Sequence, residues 1–297
     1  MKVLVSGSSG LIGSALVPAL RQAGHQVVRL VRRRPEPPDE FFWLPDAGQL
    51  DRSALEGVDA VVHLAGETIG KRWTSSAKER IRASRIEGAR LLTEAMREIG
   101  TPPRVFVSAS AVGYYGDRGS EILDENEAPG RGFLAEVCKD WEAATRPAVE
   151  RGVRVVNART GIVLSGRGGA LKAMLPLFQL GLGGVLGDGR QYMSWIAIDD
   201  VVRGYLHLLE DSGLSGPVNL TSPNPVTNAE FTQTLAKVLG RPAFLRIPAQ
   251  VLTLPLGEMA QETLLASQRA IPRRLLERGF QFQYPELEGA LRHVLGR

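Results

Sequence analysis

Residues 1–30 read MKVLVSGSSGLIGSALVPALRQAGHQVVRL, and this stretch decides the fold. An apolar run at 3–5 is followed by Gly7, Gly10 and Gly13 at three-residue spacing, and an apolar-periodic segment then covers 11–20. That order predicts a strand, a glycine turn and a helix. Gly24 closes the helix and a β-branched run opens at Gln26, so the stretch forms a βαβ unit. In such a unit the glycines allow a tight turn, close approach of backbone N–H groups to a pyrophosphate, and close packing of helix on strand. The helix N-terminus adds partial positive charge and unpaired amides. Three glycines alone would fit any glycine-rich turn. With a strand before them and a helix after, they predict a dinucleotide cradle formed by Gly7, Ser9, Gly10, Leu11, Ile12 and Gly13.

The spacing is G-x-x-G-x-x-G, and with the unit opening at residue 3 the chain resembles the extended short-chain dehydrogenase/reductases, the sugar-nucleotide epimerase-like enzymes. The resemblance implies an α/β fold: a Rossmann-type doubly wound parallel sheet with a smaller C-terminal α/β substrate lobe. The expected division is 1–165 for the dinucleotide-binding domain, with later strand contributions from about 190–220, and 166–297 mainly for the lobe.

Composition agrees with a globular enzyme. The 297 residues suffice for a full α/β core, with 43% hydrophobic and 23% charged residues and a formal charge of +4. One cysteine, Cys138, excludes an intramolecular disulfide and a cysteine metal cluster, as expected in a reducing cytoplasm. No run approaches the roughly 18 apolar residues of a membrane span, and the opening run is too short for a signal peptide. The expected location is cytoplasmic. Expected partners are a small-molecule substrate and, by analogy with relatives, a second copy in a homodimer. No metal, nucleic acid or membrane is expected.

The second strand, 26–31, ends where an adenosine ribose lies, about twenty residues past the turn. An NAD-specific protein offers a carboxylate there. This chain offers Arg32, followed by Arg33 and Arg34. A guanidinium pairs with a 2′-phosphate that a carboxylate would repel, so the expected cofactor is NADP. The competing reading is a solvated basic loop leading into the proline-rich stretch 35–38.

Residues 41–43 are candidates for a short strand, and 58–65, VDAVVHLA, suit a strand buried on both faces. Its end, His63, Leu64 and Ala65, should border the cofactor, with His63 as packing or cofactor wall and not a base. A helix is expected over 75–99. Within it Ser84-Arg85-Ile86-Glu87-Gly88 matches the family's point of close approach, which implies that Arg85 touches the cofactor. A surface arginine paired with glutamate at helical spacing is the alternative.

The next strand, 104–110, ends in SASAVGYYG, residues 108–116, and the serine-rich turn before Tyr-Gly is similar to that of the extended reductases. The resemblance implies that Ser110 polarises the reacting oxygen. Tyr114 and Tyr115 either line the same pocket or wall it, and Tyr115 is the candidate proton donor from outside the usual helix.

The usual donor is missing. Short-chain reductases use Tyr-x-x-x-Lys, in which lysine and ribose depress the tyrosine pKa. No tyrosine here has lysine four residues on. In the helix expected over 132–144, GFLAEVCKDWEAA, anchoring on Trp141-Glu142 puts Leu134 at the tyrosine position and Cys138 at the lysine position. Lys139 lies about 100 degrees round the axis from there. This pattern resembles one subgroup, the atypical epimerase-family proteins with an extra C-terminal segment.

A further strand is expected over 154–164, and the resemblance implies that its end, including Ile162, borders the nicotinamide. Asp199 and Asp200 read as a helix N-cap, with Gln191, Tyr192 and Trp195 as pocket candidates. Asn228 is the expected cap of a helix over 228–239 closed by Gly240, and 280–284 a small strand. Two functions fit these residues. One is an NADP-dependent oxidoreductase or epimerase acting on a small polar or nucleotide-sugar substrate. The other is a non-catalytic NADP(H) sensor.

Overall fold

In the computed structural model, which describes residues 1–297, the apolar run after Met1 forms β1, Lys2–Ser6, near the middle of an eight-stranded sheet. Its neighbours are β2, Gln26–Val31, and β5, Ala60–His63, both parallel to it. From β2 the sheet extends outward through β3, Glu40–Leu44, to the short antiparallel β4, Gln49–Leu50. From β5 it extends the other way through β6, Val105–Ala111, then the strands Arg154–Thr160 and Gly216–Leu220. The chain therefore reverses its direction of travel between β1 and β5. A doubly wound sheet opens its ligand crevice at the carboxyl ends of the strands flanking such a reversal.

Both faces of the sheet are covered. Val5, Val62 and Val107 pack with Leu16 and Leu20 of α1, Leu11–Gln22, and with Tyr205 of the helix Ile198–Glu210. Leu4, Val61 and Phe106 face the other way, against Leu92 and Met96 of α2, Ser75–Glu98. Alternate residues of each strand thus enter two different cores, which is why the strands read as continuous apolar runs. Helix α1 contains Pro18 on its exposed side. An interior proline costs about 3 kcal/mol, but each buried Leu16, Val17 and Leu20 contributes roughly 1.5–3 kcal/mol, so packing outweighs the break.

A third apolar cluster, with Leu171, Phe178, Trp195, Phe231, Leu235 and Leu291, forms the C-terminal lobe. The lobe departs from expectation in several places. The strand expected over 154–164 is two strands. Gly161 donates to Leu220 O at 3.1 Å while Ile162 donates to Ser194 O at 2.8 Å, so the chain changes partner there. Ile162–Leu164 then pairs with Trp195–Ala197 outside the main sheet.

Asp199 and Asp200 do not cap their helix. Ala197 occupies the N-cap, and the fully buried Asp200 accepts the N–H groups of Gln283 and Tyr284 at 2.7 and 2.8 Å. That tether replaces a strand ladder, and 280–284 is irregular. Nor is Asn228 the cap it was expected to be. Thr227 and Glu230 form a capping box, while the Asn228 carboxamide accepts the N–H of Leu186 at 2.8 Å.

Candidate functional site

The crevice lies where β1 and β5 end. Gly7 has φ 69°, and a Cβ there would stand 2.7 Å from Ala65 N, so the turn rests directly on the backbone of Leu64 and Ala65. A Cβ on Gly13 would lie 2.2 Å from Gly7 O, which fixes helix against turn. Helix α1 begins at Leu11 behind Gly10 with no side-chain cap. Its first amides therefore remain available to an anion. The Leu11 side chain lies 3.0–3.1 Å from where Cβ atoms would sit on Gly168 and Gly169, so the turn after Ile162–Leu164 closes over the start of α1.

At the end of β2 the three arginines separate in role. Arg33 donates to Glu40 at 2.7 Å and Arg29 pairs with the same carboxylate at 2.8 Å. Glu40 is buried. Burial alone would raise its pKa, but the Glu36 amide, Arg33 and Arg29 more than reverse this and hold it below the usual range. Arg32 instead stands exposed. Arg33 of the cluster is thus anchored with Arg29 at Glu40, while Arg32 and Arg34 are exposed and take no part in that pairing.

His63 is completely buried, hydrogen-bonded through Nδ1 to Ser6 Oγ at 2.7 Å, and edge-on to Trp43. Burial pushes its pKa down to about 4. The ring is packing, and it is Leu64 and Ala65 whose backbone lies against Gly7. Arg85 is half-buried and not paired with a glutamate carboxylate, so the surface reading does not hold for it. Its Nη1 donates to the carbonyls of Glu67 and Ile81 at 3.1 and 3.0 Å, and the guanidinium lies over Trp141. It ties the loop after β5 to α2.

The expected chemical residues form a buried polar chain. Ser110 Oγ donates to Glu142 Oε1 at 2.8 Å, and Glu142 takes Arg159 Nε and Nη2 at 2.8 Å each. Arg159 Nη1 donates to Tyr115 Oη at 3.1 Å, and that hydroxyl lies 2.7 Å from Asn219 Oδ1. Burial works against the Arg159 charge, but Glu142 more than compensates and raises its pKa. Tyr115 is fully buried and pushed up to about 12. Its expected place as a proton donor at the pocket is corrected on that ground: the phenol is a core group with fixed partners.

Helix α3, Phe133–Ala143, carries Leu134 and Cys138 beneath Gly113. Burial, with Glu142 adding to it, pushes the Cys138 thiol up to about 12, so the residue at the lysine position carries no charge. The amides of Phe133 and Leu134 donate at 2.8 Å to the two carboxylate oxygens of Glu262, a residue more than a hundred positions away. Of the other pocket candidates, Trp195 is buried and donates to Asn224 O, and Gln191 is held by Leu186 and Leu264 carbonyls. Tyr192 stays half-exposed beneath Arg269. Sequence reasoning missed Arg159, Asn219 and Glu262 because their partners are distant in the chain.

Residues 3–220 match the model of the NAD dependent epimerase/dehydratase family. The chain belongs to that family. Residues 247–294 match a second model, a domain of unknown function, so the family's usual module here carries the segment that supplies Glu262. An epimerase family protein of Mycobacterium tuberculosis is 49% identical over 296 residues, covering 99% of this chain and 98% of its own. The human epimerase family protein SDR39U1 is 38% identical, covering 99% and 100%. A crystal structure of human SDR39U1 with NADPH superposes with a TM-score of 0.90 at 36% identity, over the whole of both chains. A nucleoside-diphosphate sugar epimerase from Corynebacterium glutamicum gives 0.82 at 42% identity, covering all of this chain and 58% of that one. The epimerase family's extended short-chain dehydrogenase/reductase architecture is thus present from end to end.

Proposed function

We propose that this epimerase-family protein binds NADP(H) and uses it in an oxidoreductase or epimerase reaction on a small polar or nucleotide-sugar substrate. One observation carries the reading. The close turn at Gly7–Gly13 and the uncapped start of α1 follow β1, and the exposed Arg32 follows β2, the parallel strand beside it with Ser6 opposite Leu30, which is the order in which a diphosphate and an adenosine ribose are bound at such a sheet edge. The turn would hold the diphosphate through the amides near Gly10 to Gly13, with Ser9 beside it. Arg32 would grip the 2′-phosphate, and Leu64, Ala65 and Ile162 would wall the dinucleotide. The NADPH in the human SDR39U1 structure supports this choice over NAD. When bound, NADP(H) supplies hydride transfer.

What this chain's residues do for the proton is narrower than in other members of the family. With Trp141-Glu142 as the anchor, Leu134 and the neutral, buried Cys138 would fall at the Tyr and Lys positions. Ser110 keeps Glu142 aligned with Arg159 at the end of β6. These observations favour a second reading, a sensor that binds NADP(H) without turnover. Mixing the protein–NADPH complex with a panel of aldehydes, ketones and nucleotide sugars separates the two. Loss of nicotinamide absorbance with any of them, or inversion of a stereocentre in a nucleotide sugar incubated with the protein–NADP complex (a redox-neutral turnover that leaves the absorbance unchanged), supports the enzyme, and neither across the panel supports the sensor.

A further inference from the structure

We propose that the outer face of the C-terminal lobe docks on an anionic lipid surface. Two stretches build this face, 169–186 and 240–257, brought together where Gly184–Leu186 pairs in parallel with Leu245–Ile247. Neither stretch contains an aspartate or glutamate, and between them they carry Lys172, Arg241 and Arg246. Leu171, Phe178 and Val185 of these stretches are buried, but other large apolar side chains are exposed: Phe244 is 89% exposed, Leu254 80% and Leu180 74%. A Cβ on Gly181 would lie 3.4 Å from the Pro242 ring, so Leu180 and Leu182 come from the strip beside Phe244. The helix Ala249–Leu256 follows directly, and none of its residues is buried. Val251 and Leu254, three apart, share one side of it.

Single exposed leucines are ordinary on a soluble surface, but Leu180, Leu182 and Phe244 come from adjoining strips, and Val251 and Leu254 follow within ten residues of Phe244. The charges decide the occupant. Phe244 lies between the exposed Arg241 and Arg246, and no carboxylate of either stretch is there to neutralise them. Apolar side chains that enter the headgroup boundary, rimmed by cations that meet anionic lipid, are the two contributions that hold a protein on a membrane surface. The eight-residue helix is too short to cross a bilayer, and no helix of the chain is long and apolar enough to do so. The face therefore lies on the surface. The sequence-based expectation of no membrane partner considered only spanning segments, and a surface contact needs none.

The test is co-sedimentation of the full chain with vesicles of phosphatidylcholine alone and of phosphatidylcholine mixed with phosphatidylglycerol. The protein is expected to pellet with the mixed vesicles only and to be released by added salt. Arg241→Gln is expected to weaken binding about fivefold, and Phe244→Asp combined with Leu254→Asp to abolish it. Both positions are exposed, so unchanged circular dichroism and thermal unfolding confirm that the double variant folds. Recovery in the supernatant with both vesicles, or equal pelleting with both, overturns the proposal. So does a double variant that changes only the sedimentation coefficient, since the face would then be a contact between copies of this chain.

Discussion

Ser110 donates its hydroxyl to Glu142 at 2.8 Å, and the same carboxylate receives two guanidinium bonds from Arg159, whose side chain is 3% exposed. A hydroxyl at the carboxyl end of a central strand thus serves an internal ion pair. Glu142→Ala would leave a buried cation without its partner, at a cost of roughly 3–5 kcal/mol. Ser110→Ala removes one donor to a carboxylate that keeps two others, at about 1–2 kcal/mol. Chemical denaturation of the two variants checks the order. A Glu142→Ala protein as stable as the parent would show that Arg159 finds water.

His63 gives a pH dependence with a definite sign. Burial lowers its pKa from 6.5 to about 4. The unfolded chain binds this proton first, so stability is fully present above pH 6.5 and is lost as pH falls toward 4. The gap corresponds to about 3 kcal/mol. His63→Asn, which keeps a partner for Ser6, is expected to flatten that part of the stability–pH curve whatever it does to stability at neutral pH. An unchanged slope would place the titration elsewhere.

The carboxylate of Glu262 supplies the cap that α3 lacks in its own sequence, since Gly132 precedes the helix and offers no side chain. Glu262→Ala is expected to destabilise by about 0.5–2 kcal/mol and to expose 256–265 to protease cleavage before the rest of the lobe. Glu262→Gln, retaining one acceptor oxygen, should lie between. Identical digestion patterns for all three proteins would mean that the Glu262 contact does not fasten the segment.

The opening βαβ unit was legible because its signals are local: a short apolar run, three glycines and a 3.6-residue period within two dozen residues. The doubly wound parallel sheet followed from the family resemblance that this unit carries. Side-chain roles at the site were less legible. Arg85 reads as a cofactor ligand or a surface arginine, and its guanidinium holds the Ile81 carbonyl one turn back in α2 and the carbonyl of Glu67, in a loop that no spacing rule connects to it. Tyr115 read as a proton donor, yet Asn219, 104 positions on, engages its hydroxyl. Asp200 looked like an N-cap because local chemistry allows it, but the tail at Gln283 and Tyr284 takes both oxygens. Buried polar groups choose partners by proximity in the fold, and sequence separation hides that choice.

Gly13 has no room for any side chain, with a Cβ only 2.2 Å from Gly7 O. Gly13→Ala is expected to push α1 off the turn and reduce NADPH affinity at least tenfold, with a melting temperature several degrees lower, as a loss of about 1–3 kcal/mol implies. Fluorescence titration and thermal unfolding measure both. A variant that binds NADPH normally would show that the turn adjusts without losing its amides.

The most direct test is calorimetric titration of NADPH and NADH into the protein and into Arg32→Asp. A charge-assisted contact to the 2′-phosphate contributes about 1.5–3 kcal/mol, so the parent is expected to prefer NADPH by roughly ten- to a hundredfold. In Arg32→Asp that preference is expected to vanish or reverse while NADH binding persists through the glycine turn. Equal affinity of the parent protein for the two dinucleotides, or binding of neither, would contradict the assignment of the crevice.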